Sequence, residues 1–123
     1  MANMASSIEN KAGPHIGDTG WVDVAMLGSF QPQGAVPQVR RLGQVVYFKG
    51  GWSNAGMAAT SAYDIGVVPV GFRPSGWKYG MVASHTAATA ARTNVKTDGT
   101  IVLNTNAALG SYFMYDAFSY PLG

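Results

Sequence analysis

The side chains in this sequence best suited to recognition chemistry are Trp52, Asn54 and Tyr63 in and just after a Gly/Ala/Ser-rich stretch, Trp77 and Tyr79 on the next apolar run, and His85 and Arg92 beyond it. Aromatic rings stack on the C–H-rich faces of sugars, and amide, imidazole and guanidinium groups hydrogen-bond their hydroxyls. Trp52 has the strongest claim. It sits among glycines in what reads as a long surface loop, Gly50 to Ala62, where a large ring needs a reason. That reason is either a ligand or packing onto a neighbouring subunit. Trp77 alternates within a strand-like run and reads equally well as core, and Trp21 reads as core or interface.

Other chemistries find less support. The only histidines, His15 and His85, have no ligand-spaced partner, and the spacing of Asp18, Asp23 and Asp98 does not match a calcium loop. No protein-bound metal is expected; calcium held between subunits is the best remaining case. Ser84 and His85 are adjacent, and neighbours in a strand point to opposite faces, which is wrong for a nucleophile and its base. No G-x-S-x-G is present. The six acids are scattered singly, whereas a glycosidase holds two carboxylates about 5 to 10 Å apart. Asp64 and Asp116 are left as a pair that nothing singles out, and Asp98 and Asp18 read as turn or cap residues. The expectation is a non-catalytic protein with no cofactor.

At 123 residues the chain can form one domain with a real core. It has no cysteine, so disulfides and thiolate chemistry are excluded. Charged residues make up 11%, against roughly 25% in an ordinary soluble domain. This favours a protomer that hides part of its outside against copies of itself over a monomer with a neutral Thr/Ser/Asn surface. The net charge of +2 is spread without a basic run, and the one basic doublet, Arg40-Arg41, divides between two strand faces. Nucleic acid is not an expected partner. No apolar run approaches the roughly 18 residues of a membrane span, and the N-terminus lacks the order of a signal peptide.

The elements that must position these groups read as short strands separated by Gly, Pro and Asn clusters. Met1 to Gly17 is a linker or shaft-joining segment, and 18–123 is the folded domain. Strands are expected at Gly20–Leu27, Val36–Leu42, Gln44–Lys49, Trp77–Ala83, Ala91–Thr97, Thr100–Leu103 and Ser111–Phe118. Leu42-Gly43-Gln44 reads as a tight hairpin turn. Asp98-Gly99 reads as a type I′ turn, because both residues tolerate positive φ. Ile65–Phe72, with two glycines and Pro69, is expected to be irregular or an edge. In Gln44–Lys49, Val45 and Tyr47 share one face and Val46 and Phe48 the other, so both sides are expected to be covered. The fold class is all-β: an antiparallel sandwich or jelly-roll-like domain.

A series of landmarks runs along the chain: Gly20-Trp21, then Val39-Arg40-Arg41-x-Gly43 with x-Val-Val-x-Phe48, then Pro69-x-Gly71-Phe72-Arg73-Pro74. Val95-x-x-Asp98-Gly99-Thr100-Ile101 and a final Phe118-Ser-Tyr-Pro121 complete it. This order resembles the C-terminal head domains of phage tail receptor-binding proteins and tail-fibre tips of the siphophage type, and the likeness spans roughly Asp18 to Gly123. The resemblance implies a homotrimer of jelly-roll heads on a virion tail. Such heads work with other tail or baseplate proteins and recognise host cell-surface carbohydrate outside the cell, without catalysis or membrane insertion. It also implies that Phe72 and Arg73 are structural. Saccharide contacts in these heads lie in variable loops, so no contact residue transfers by motif. The competing expectation is a structural tail-tip, baseplate or decoration protein that touches no receptor, and a remote one is a depolymerase fragment.

Overall fold

The computed structural model describes residues 17–54, 61–84, 90–105 and 112–123. The expected linker except Gly17, both histidines and most of the turn after Asn104 lie outside the described residues. The described residues form strands in chain order: β1 (Val22–Asp23), β2 (Ala25–Met26), β3 (Gln31–Pro32), β4 (Gln38–Leu42), β5 (Val45–Lys49) and β6 (Gly51–Ser53). There follow β7 (Ser61–Val67), β8 (Lys78–Ser84), β9 (Ala90–Val95), β10 (Thr100–Thr105), β11 (Tyr112–Met114) and β12 (Ser119–Pro121).

All pairings between these strands are antiparallel. A four-stranded sheet runs β1-β4-β5-β12, and an eight-stranded sheet runs β2-β7-β10-β9-β8-β11-β6-β3. The expected all-β sandwich forms, with the large sheet curled until the assembly is nearly a closed barrel. Its outermost strands are only two or three residues long, and Pro32 and Pro121 stand on two of them. Short edges bearing proline offer little template for a foreign strand.

The core lies between the inner faces. Val39, Val46 and Phe48 come from the small sheet; Trp52, Ile65, Ala91, Val95, Ile101, Leu103 and Phe113 come from the large one. Aromatic rings fill the centre. Phe48 has Phe118, Tyr115 and Tyr120 at ring-centroid distances of 5.1, 5.7 and 5.9 Å. The alternation expected of β5 is present, with Val46 and Phe48 buried and Tyr47 40% exposed. The second face of that strand, expected to be covered, is open in the single chain.

Several local readings change. Gly50–Ala62 is not one loop: β6 pairs with both β11 and β3, and β7 begins at Ser61. Ile65–Phe72 is irregular but not an edge: β7 runs through Val67 between β2 and β10 with a bulge at Ile65, and residues 68–72 leave the strand. The closing segment is two strands, β11 and β12, belonging to different sheets. The chain changes sheet at a turn where the Phe118 amide donates to the Tyr115 carbonyl (2.9 Å).

The Asp98-Gly99 turn exists, but with a different geometry. The Gly99 amide closes back on the Lys96 carbonyl at 2.9 Å, which centres the turn on Thr97 and Asp98. Gly99, with φ 89°, then occupies the left-handed bulge that follows such a turn. The Asp98 carboxylate accepts the Thr100 amide at 2.9 Å, and this bond holds its pKa below the ordinary carboxylate value. By contrast, the Gly43-Gln44 turn is the tight hairpin expected, with Leu42 opposite Val45.

Candidate functional site

In β8 the side chains alternate strictly. Val82 and Ser84 point inward, while Tyr79 and Met81 stand 65% and 59% exposed, with Trp77 just before the strand 51% exposed on the same parity. Lys96 Nζ lies 5.2 Å from the centre of the Trp77 ring. These residues begin the outer face of the large sheet. Strand register extends that face across four strands in two rows. Tyr79 is opposite Asn94, Asn94 opposite Val102, and Val102 opposite Asp64. Beside that row, Met81 is opposite Arg92, Arg92 opposite Asn104, and Asn104 opposite Ala62.

A bulge in β7 aims Asp64 at this face. Between Ile101, opposite Gly66, and Val102, opposite Asp64, the pairing skips Ile65. The extra residue lets Ile65 and Gly66 both be buried while Asp64 turns outward.

Asn94 is the unusual member. It lies on the outer face of the sheet yet is only 6% exposed. Asn104 Nδ2 donates to Asn94 Oδ1 (3.1 Å) and to the Arg92 carbonyl (3.4 Å). These two bonds fix the Asn94 amide with its oxygen toward Asn104. Its Nδ2 is left buried without a hydrogen-bond partner. A buried donor left unsatisfied costs about 1–3 kcal/mol, so this position asks for an acceptor from outside the chain.

Of the residues singled out from the sequence, Trp77, Tyr79 and Arg92 come together on this face. Trp52 does not. It is fully buried on β6, its Nε1 donates to the Ile65 carbonyl at 2.9 Å, and its ring packs 4.7 Å from Tyr115. The ring is large because it fills the core, and it presents no surface to a sugar. Asn54 and Tyr63 lie elsewhere. The Asn54 amide donates to Ser29 Oγ (2.7 Å), and the half-buried Tyr63 ring meets Phe30 edge-on at 5.7 Å. His85 lies outside the described residues. Asn94, Asn104 and Met81 were missed, although the alternation of Ala91, Thr93 and Val95 facing inward assigns Arg92 and Asn94 outward.

The two carboxylates weighed as a pair serve different places. Asp116 accepts the Gly50 amide at 3.0 Å at the turn between β11 and β12, while Asp64 stands on the outer face of β7. Trp21 is not core. It is 37% exposed on the small sheet's side, with Lys49 Nζ at 4.6 Å and the Arg40 guanidinium at 5.8 Å from its ring. Arg40 Nε also donates to Asp18 Oδ1 (2.9 Å). That bond, with the Gly20 amide, lowers the Asp18 pKa to about 2.

The Ile65–Ser75 block is structural throughout. Arg41 Nη1 donates to the Gly71 carbonyl at 2.9 Å and the Tyr120 hydroxyl to that of Phe72. Arg73 Nε donates to the Val68 carbonyl at 3.2 Å, and the Ser75 amide to that of Leu122 at 2.9 Å. Phe72 is buried. The block thus straps the end of β7 to the small sheet and the C-terminus.

No family model matches the chain, and no curated protein matches it in sequence. Solved structures do. The head domain of phage bIL170, among the receptor-binding domains of lactococcal phages, is similar at TM-score 0.62 with 19% identity, over 84% of this chain and 97% of that one. The receptor-binding protein of Listeria phage PSA is similar at TM-score 0.65 with 17% identity, over 81% of this chain and 62% of that one. The fold is therefore that of phage receptor-binding heads, as the order of sequence landmarks implied.

Proposed function

We propose that this chain is the receptor-binding head of a phage tail, which recognises a saccharide on the host cell surface and performs no catalysis. The observation that carries this reading is the likeness of fold, over more than four-fifths of the chain, to the head domain of one phage receptor-binding protein and to part of another such protein. The solvent-facing Trp77, Tyr79 and Arg92, with the Asn94 amide just beneath them, support the saccharide part, since rings and polar groups side by side suit sugar C–H faces and hydroxyls. Residues 1–17 would join the head to the tail.

The head would work as a homotrimer on the virion, beside other tail or baseplate proteins. Support comes from the open outer face of the small sheet, where Leu42, Val45, Tyr47 and Pro121 are neighbours in register and Leu42 and Tyr47 are 41% and 40% exposed. Three-fold display would raise weak single-site binding by ~10²-fold or more. Adsorption of the fluorescently tagged domain to host cells tests the function. Adsorption that free cell-surface polysaccharide competes away is expected. No adsorption, by a domain that is folded and trimeric, would favour a structural tail-tip or baseplate role instead.

A further inference from the structure

The unpartnered Asn94 Nδ2 points to a ligand chemistry that the overall fold does not specify. A glycan on this face meets, in one transverse row, the Tyr79 ring, the Asn94 Nδ2 donor, the Val102 side chain and the Asp64 carboxylate. Strands lie about 4.8 Å apart, so the row spans roughly 14 Å, the length of two to three sugar units. Asn94 stands between a ring on one side and an aliphatic side chain on the other. Val102 is itself only 7% exposed, and Met81, 59% exposed, stands diagonal to Asn94 on β8 in the neighbouring row. A buried N–H donor beside apolar carbon suits an acyl group, with its carbonyl oxygen on the donor and its methyl on the aliphatic floor. A bare hydroxyl would satisfy the donor but leave the floor wet.

We propose that the outer face of β7–β10–β9–β8 binds an N-acetylated saccharide lying across the strands. Its acetamido carbonyl accepts from Asn94 Nδ2, its methyl rests on Val102, and a ring C–H face packs on Tyr79. Asp64 accepts hydroxyls from the next unit, and Arg92 borders the acetamido group. Tyr79 and Met81 beside Asn94 are exposed side chains, and such surface rotamers change on the ps–ns scale, as entry to the amide requires. The proposal rests on the saccharide-recognition reading.

The test follows the Asn94 side-chain NH2 signals by NMR while the protein is titrated with N-acetylglucosamine, N-acetylgalactosamine and N-acetylmannosamine, each beside its parent hexose. At least one acetamido sugar is expected to move the Asn94 signals while its parent leaves them in place. Tyr79→Ala and Asn94→Asp should each weaken that binding by about tenfold, the size of one good contact. Tyr79 is exposed, so its variant also covers the case in which Asn94→Asp does not fold. Equal response to the parent hexoses, or unmoved Asn94 signals with all six sugars, overturns the proposal. Adsorption of the unaltered protein to host cells is measured in parallel. Retained adsorption with unmoved Asn94 signals leaves the receptor reading standing without this site, whereas absent adsorption removes both.

Discussion

The Tyr115 hydroxyl and Thr93 Oγ1 lie 2.7 Å apart in the core, both residues fully buried, and Thr93 Oγ1 also reaches the Val102 carbonyl at 2.8 Å. The chain of bonds runs in one direction, from the Tyr115 hydroxyl to Thr93 and from Thr93 to the carbonyl. It ties the β11–β12 corner to the middle of the large sheet, directly beneath the face carrying Asn94 and Val102.

Breaking this chain should be asymmetric. Tyr115→Phe removes one donor and is expected to cost about 1 kcal/mol. Thr93→Val strands the Tyr115 hydroxyl and strips the carbonyl of a donor, so it should cost more, about 1–3 kcal/mol. The double variant should cost less than the sum of the two. Urea denaturation measures all three, and additive single costs would show that the hydroxyls do not act together.

The same burial governs the alkaline limb. Burial pushes the Tyr115 phenol well above its ordinary value of 10.0, and that of Tyr120 likewise. A raised folded pKa means stability that is intact below pH ~10 and declines above it, as the unfolded chain ionises first. Unfolding free energy is expected to fall above that pH by up to ~1.4 kcal/mol per pH unit for each phenol. The decline should be shallower in Tyr115→Phe, and an unchanged slope would remove Tyr115 as its source.

Gly80 faces Phe118 so closely that an added Cβ would sit 2.5 Å from Phe118 Cε1. Gly80→Ala should therefore destabilise by about 1–3 kcal/mol through overpacking. Pairing it with Phe118→Leu should recover part of the loss. Thermal melts of the three variants decide this, and a neutral Gly80→Ala would mean that the ring yields freely.

Trp52 and Trp77 should part company. Trp52→Ala is expected to cost about 3–5 kcal/mol, as for a large buried ring. Trp77→Ala should change stability by no more than about 0.5 kcal/mol while weakening adsorption to host cells. Melting curves read beside cell-binding isotherms separate the roles. Full adsorption by a folded Trp77→Ala would remove this ring from the contact surface.

Asp18 supplies an acid-limb test. Its hydrogen bond from Arg40 holds its pKa near 2, against an ordinary 3.8. A depressed carboxylate stabilises above its unfolded pKa and loses that contribution as pH falls toward 2. NMR titration should give a midpoint near 2 for Asp18, moving up toward the ordinary value in Arg40→Ala. A midpoint already at the ordinary value in the unaltered protein would mean the pair does not form in solution.

Composition and alternation carried the fold class a long way. Period-two patterns in Val45–Phe48 and Trp77–Ala83 identified strands, although in Val45–Phe48 both faces read as covered, and Gly43 marked its hairpin correctly. What they could not supply was the pairing partner, because the same alternation suits any neighbour. For that reason Gly51–Ser53, too short to show a period, read as loop until β11 and β3 were found on either side of it. The Trp52 ring then moved from surface to core. The Pro69–Pro74 block was legible as structural through the resemblance, with its prolines fixing φ whatever surrounds them.

The sequence by itself determined which residue types exist to do chemistry: no thiol, no clustered acids or bases, and a supply of aromatics and amides. It also determined that Tyr79 shares a parity with Trp77, and Arg92 with Asn94, because alternation within a strand is a property of the backbone. Only the tertiary structure decided that these parities coincide. Hydrogen-bonded register set Tyr79 beside Asn94 and Asn94 beside Val102, and the β7 bulge turned Asp64 to the same face. Register is a relation between segments distant in the chain, so no single segment encodes it.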